Sequence, residues 1–138
     1  MVFMRHLGSI LATLMLIVAS CSSALAEEPE TLKATLTKGS VAEVMVDFGD
    51  VPYSKCVTKS IIIENDTDAP IVLLDYDTTC RCTWLTLPKT AIAPKKSAEV
   101  TITFDSRGEW GSVGNFLSIE TSNKSCKVAI WMSADIVR

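Results

Sequence analysis

The sequence predicts an all-β sandwich, on three observations. Apolar residues alternate in short runs of period two, turn-forming residues separate those runs, and no helical period longer than one turn follows the N-terminal apolar stretch. Taken in order, Val44 to Val51 reads as a strand ending in a Gly49-Asp50 turn. From Val57 to Glu64, Ile61 and Ile63 share one face while Ser60 and Glu64 share the other. Asn65 to Pro70 is turn chemistry, because Asn and Asp bond their own backbone and Pro fixes φ. Ile71 to Leu74 is apolar on both faces and reads as a central strand.

Beyond Cys80 and Cys82, Leu85 and Leu87 alternate as far as Pro88, and Ala93 to Lys96 turns the chain. Glu99 to Asp105 alternates without a fault. Phe116 to Thr121 puts Leu117, Ile119 and Thr121 on one side, and Ser122 to Lys124 turns into a last strand, Cys126 to Val137. There Val128, Ile130 and Met132 point inward and Trp131 is out of phase with them. Seven short strands at this spacing indicate an immunoglobulin-like Greek-key β-sandwich. About ten buried aliphatics, at roughly 1.5–3 kcal/mol each, exceed chain entropy by a narrow margin, so any disulfide matters.

A signal helix is expected ahead of this domain. Arg5 and His6 form a basic n-region, and Leu7 to Ala19 is apolar but too short to span a bilayer. Two cleavage readings remain open. Ala24-Leu25-Ala26 is an A-x-A site, giving a signal over residues 1–26, a tether or loose first strand over 27–40 and the domain over 41–138. Val18-Ala19-Ser20-Cys21 instead resembles a bacterial lipobox, with Cys21 lipidated and Ser22 favouring outer-membrane delivery. Acyl chains at about 0.8 kcal/mol per buried CH₂ would then anchor the protein. Both readings place the domain outside the cytoplasm, in the periplasm or on the outer membrane.

Charge and histidine usage exclude several functions. The chain carries −3, and losing Arg5 with the signal leaves about −4, which argues against nucleic acid or an anionic membrane surface as partner. The single histidine, His6, lies in the signal. The exported domain therefore has no histidine general base, no Ser-His-Asp or Cys-His arrangement and no histidine-ligated metal. Asp75, Asp77 and Asp105 leave paired carboxylates conceivable, but Asp75 and Asp77 read more simply as strand-end residues. A hydrolase is not expected.

Several segments occur in a recognisable order: Phe48-Gly49-Asp50-Val51, Ile63-Glu64-Asn65 with Ala69-Pro70-Ile71, Cys80-x-Cys82-Thr83, Ile92-Ala93-Pro94, Val100 to Asp105 and Gly114-x-Phe116. Together they resemble a bacterial domain-of-unknown-function family, number 1573, of exported immunoglobulin-like domains. That family is akin in fold to ciliary and pilus-chaperone sandwich modules. The resemblance covers Val44 to Val137 and implies the fold; it implies no reaction. Two departures stand out: Arg81 occupies a position usually held by Gly, and Pro94-Lys95 replaces Pro-Gly.

Cys56, Cys80, Cys82 and Cys126 remain after export, and sequence alone allows three full pairings. Reversal of the chain at Asn65–Pro70 places Cys56 at the same end of the sandwich as Cys80 and Cys82, with Cys126 remote. The simplest reading is a stapling disulfide from Cys56 to Cys80 or Cys82, worth about 2–4 kcal/mol. A soft Cu(I) or Zn(II) site on Cys80 and Cys82, or a redox Cys-x-Cys pair aided by Arg81, are the alternatives. Trp84 follows the thiols and Trp110 lies in the Gly108–Gly111 loop, either as binding anchors or as lids over the sandwich end.

The leading expectation is an envelope-anchored, non-catalytic module that needs no cofactor. It would bind or scaffold an unidentified envelope protein or glycan through loops carrying Arg81, Trp84 and Trp110. It would touch membrane only through Cys21. The alternative expectation is a small thiol-redox or soft-metal protein working through Cys80 and Cys82.

Overall fold

The computed structural model describes residues 31–138. The signal, the A-x-A site and Cys21 lie outside the described residues. Eight strands follow one another: β1 Leu32–Leu36, β2 Val41–Pro52, β3 Cys56–Asn65, β4 Leu73–Thr78, β5 Thr83–Thr86, β6 Ser97–Asp105, β7 Gly111–Thr121 and β8 Lys127–Val137. They form two four-stranded sheets, ordered β1-β3-β6-β5 and β2-β8-β7-β4. This is an immunoglobulin-like sandwich, and no helix occurs among the described residues.

Alternation decides which side chains meet between the sheets. Ile61 and Ile63 of β3, Val100, Ile102 and Phe104 of β6, and Leu85 of β5 face Leu117 and Ile119 of β7 and Val128, Ile130 and Met132 of β8. In β2, Ala42, Val44 and Val46 point in, yet Val51 is also buried although it lies an odd number of positions after Val46. A bulge between Asp47 and Asp50 resets the phase. Gly49 supplies it with φ +65° and donates its N–H to Asp47 Oδ1 at 2.8 Å. The Gly49-Asp50 turn expected from sequence is therefore a bulge within a continuing strand.

One open choice resolves and one further expectation is corrected. Residues 32–36, read as part of a tether or a loose first strand, form the strand β1, which pairs in parallel with β3 and buries Ala34 and Leu36. Ile71 to Leu74 is not a central strand. It is the crossing from one sheet to the other: Ile71 bridges to Ile92 from a fully buried position, while Leu74 lies exposed on edge strand β4. Within the run only Ile71 and Leu73 enter the core, while Val72 is half-buried and Leu74 faces outward.

Asn65 organises that crossing. Its buried side chain donates through Nδ2 to the carbonyls of Ala69 and Ile92, each at 2.8 Å, and its Oδ1 accepts from the Thr67 N–H at 3.0 Å and the Thr67 hydroxyl at 2.6 Å. Its backbone N–H donates to Lys96 O and its carbonyl accepts from Lys95 N–H. Lys95 sits at φ +63°, the conformation that glycine would adopt without steric cost. Its ammonium pairs with Asp66 Oδ1 at 2.9 Å, and that hydrogen bond raises its pKa above the ordinary lysine value.

At the other end, buried Ser106 plays a comparable part. Its hydroxyl lies 2.7 Å from Pro52 O, to which it donates, and accepts from Lys55 N–H at 2.8 Å, tying the β2–β3 turn to the end of β6.

Asn65→Ala leaves several of these groups without partners and is expected to lower the unfolding free energy by about 3 kcal/mol. Urea denaturation at unchanged m checks it. Lys95→Gly relieves a left-handed backbone while losing only a fully exposed, solvent-screened ion pair. The same titration should therefore show stability equal to or above that of the parent.

Candidate functional site

Two crossovers between the sheets meet at one pole of the sandwich. The chain leaves β4 at Thr78 and enters β5 at Thr83 through Thr79-Cys80-Arg81-Cys82, and it returns from β6 to β7 through Ser106 to Trp110. The first loop is held by the Thr78 hydroxyl, which donates to Cys80 O at 2.9 Å, and by Thr83 N–H, which donates to Cys80 O at 3.2 Å. Thr79 is exchanged with Phe116 of β7 through Thr79 N–H to Phe116 O, and the Thr79 hydroxyl accepts from Phe116 N–H.

Cys80 and Cys82 are bonded to each other, with Cα atoms 5.2 Å apart. Among the described residues Cys56 is exposed and unpaired, and Cys126 is buried and unpaired. The expected staple from Cys56 to Cys80 or Cys82 is thus corrected, although Cys56 does start β3 at this same pole. The reason is β6. Asp105 pairs with Cys56 on one side and donates its N–H to Cys82 O on the other, at 2.8 Å. Two strand spacings, roughly 9–10 Å, separate the cysteines, beyond the ~7 Å that a disulfide spans. Cys126 lies at the opposite pole, where its sulfur is 3.4 Å from Thr37 O.

Two residues that sequence reasoning did not single out reach the bridge. Asn115 of β7 faces inward, and its Nδ2 donates across the sandwich to Cys82 Sγ at 3.1 Å and to the buried Thr83 hydroxyl at 3.0 Å. A sequence signal existed: Asn115 is in phase with Leu117 and Ile119, so an amide on the apolar face marks a polar contact in the core. Glu109 is the second, with Oε1 at 4.0 Å from Cys80 Sγ. The two sulfurs and a Glu109 carboxylate oxygen lie within 4.8 Å of one another. In the bridged state neither sulfur is a thiolate, so the group offers a soft cation no strong donor.

The tryptophans separate. Trp110 projects from the second loop and is 76% exposed, beside the bridge through its neighbour Glu109. Trp84 stands on β5 opposite Thr103 and is 37% exposed, on the outer face of its sheet. Trp131 points outward and lies tilted against Phe116 with centroids 4.6 Å apart. Arg81 is exposed at the tip of the bridged loop. Asp75 and Asp77 are outward residues within β4 rather than a paired acid site. An open concavity of about 330 Å³ lies at the opposite pole, against Leu74, Glu120, Lys124 and Lys127, away from both loops.

The bridge closes a loop of three residues. By loop entropy it stabilises by about 1.5 kcal/mol, against roughly 3.5 kcal/mol for a Cys56–Cys82 staple. The doubly substituted Cys80→Ser, Cys82→Ser chain should keep its far-ultraviolet circular dichroism and lose no more than about 1.5 kcal/mol in denaturant titration.

The fold has counterparts among known proteins. A protein of unknown function from Porphyromonas gingivalis W83 superposes with a TM-score of 0.57 at 17% identity, over 80% of this chain and 50% of that one. This chain thus spans half the length of that relative. The ASH/PapD-like domain 7 of human CEP192 superposes with a TM-score of 0.59 at 10% identity, over 83% of this chain and 92% of that one. Identities this low establish the fold alone. No curated protein matches the chain. The model of the family described as "Protein of unknown function (DUF1573)" matches residues 39–136, from before β2 almost to the end of β8, and the chain belongs to that family.

Proposed function

We propose that this protein is an exported, envelope-anchored module that binds or scaffolds an envelope protein or glycan through the pole bearing Cys80–Cys82 and Trp110. The observation that carries this reading is the joining of two loops distant in sequence into one surface: Glu109 Oε1 stands 4.0 Å from Cys80 Sγ, and Trp110 beside it is 76% exposed. A large exposed aromatic on a loop held by a rigid β-scaffold is a typical contact anchor for a sugar or a protein. Arg81 and Tyr53 enlarge the same pole, where Arg138 lies over the Tyr53 ring at 4.6 Å.

The absence of histidine from the exported domain and membership of a family described as of unknown function support a binding role over a histidine-dependent hydrolytic one. The basic n-region, the apolar stretch and the lipobox-like Cys21 support export and anchoring.

Two measurements test the reading. Intact mass of the protein from its native envelope should show either acylation of an N-terminal Cys21 or cleavage after Ala26; an uncleaved chain would sink the export reading. Next, a photo-crosslinking amino acid is placed in turn at Trp110 and, on the opposite pole, at Lys124. One envelope component should be captured from position 110 and not from 124, and Trp110→Ala should weaken its binding about tenfold or more. Equal capture from both poles would remove the assignment of the surface.

A further inference from the structure

The Cys80–Cys82 bridge is too short to staple the sandwich, yet the fold surrounds its two sulfurs with different groups. Cys82 Sγ receives the Asn115 amide N–H at 3.1 Å and lies 3.6 Å from the Thr83 hydroxyl. Both are neutral donors, and Asn115 is delivered from the opposite sheet. Cys80 Sγ receives the Cys82 backbone N–H at 3.1 Å but also faces the Glu109 carboxylate at 4.0 Å. Hydrogen-bond donors stabilise a thiolate, while a carboxylate beside a sulfur disfavours one and offers a place for its proton. Both cysteines are only partly buried, so an incoming disulfide has access.

We infer that Cys80 and Cys82 form a thiol–disulfide exchange pair in which Cys82 is the nucleophile and Cys80, relieved of its proton by Glu109, is the resolving thiol. The substrate class is an accessible disulfide of a protein in the same compartment. In the reduced pair the Cys82 thiolate attacks one sulfur of the substrate disulfide. The substrate S–S bond breaks, a mixed disulfide to Cys82 forms, and the first substrate sulfur leaves as a thiolate that takes a proton from water. Glu109 then accepts the Cys80 proton, and the Cys80 thiolate attacks Cys82 Sγ. This restores the bridge and releases the second substrate sulfur, which takes the proton from Glu109.

The substrate gains two electrons and two protons: the pair gives up both electrons and the Cys80 proton, and water supplies the other proton. A dithiol protein of lower potential recharges the pair by the reverse exchange, and a pair with such a partner acts as a disulfide reductase. This activity shares a surface with the proposed binding role but does not depend on it: Trp110 and Lys124 test that role, and the cysteines, Asn115 and Glu109 test this one.

The chain supplies its own reference, because Cys56 is an exposed thiol with neither a disulfide nor a hydrogen-bond partner at its sulfur among the described residues. The reduced chain is labelled with iodoacetamide at pH 7 and each cysteine is followed by peptide mapping. Cys82 should label about tenfold faster than Cys56 and faster than Cys80. Asn115→Asp, close in size but without the donor, should bring Cys82 to within about twofold of Cys56, with the circular dichroism spectrum unchanged.

With 5,5′-dithiobis(2-nitrobenzoate) as the disulfide, Cys80→Ser should halt at a stable adduct on Cys82. Glu109→Gln should keep the first release of coloured thiolate and slow the second several-fold. Labelling of Cys82 no faster than Cys56, or a second release untouched by Glu109→Gln, would overturn the assignment. Tight retention of Zn(II) or Cu(I) by a reduced chain that does not react with the disulfide would overturn it as well.

Discussion

The arch closed by Asn65 is the constraint on which the rest of this structure depends. A chain that has just completed β3 must leave one sheet and enter the other before β4, and the crossing exposes backbone groups that neither sheet pairs. Asn65 satisfies them from a single buried side chain, with both amide hydrogens and its oxygen engaged. Because β3 and β4 then lie in different sheets, β6 becomes the neighbour of β3 on one side and β5 takes the far side of β6. The placement of every cysteine follows from that order.

With β6 between them, Cys56 and Cys82 share a pole but not a bond. The only bridge among the described residues joins residues two apart in sequence, a closure that removes little entropy from the unfolded chain. Stability therefore rests on the interdigitated core and on buried polar ties such as Asn65 and Ser106, with no buried side-chain nitrogen or oxygen unpaired among the described residues. A core that stands without its disulfide leaves that disulfide free for chemistry. The same pole also gathers the two crossover loops, so an exposed tryptophan and an asymmetric pair of sulfurs occupy one small surface.

Most of the strand phases were legible because period two is a local property. Ile61 with Ile63, Val100 with Ile102 and Phe104, and Leu117 with Ile119 each announce an inward face within a few residues. Two misreadings and one choice left open share a cause. The Gly49 bulge, the two-faced Ile71–Leu74 run and β1 all depend on what lies across a gap: a partner strand that continues, a second sheet to enter, a β3 edge to cover. None of those partners is near in sequence.

By itself the sequence determined that this chain is an all-β sandwich, which faces its strands bury and where its turns fall, since alternation and turn chemistry act over a handful of residues. It also carried the family resemblance, in segments that keep their order. Only the tertiary structure decided which thiols meet, that Asn115 and Glu109 flank the two sulfurs unequally, and that Trp110 shares their surface while Trp84 and Trp131 do not. Those outcomes depend on strand order and on which end of the sandwich each crossover occupies. They are set by closing a two-layer core, and no local pattern encodes them.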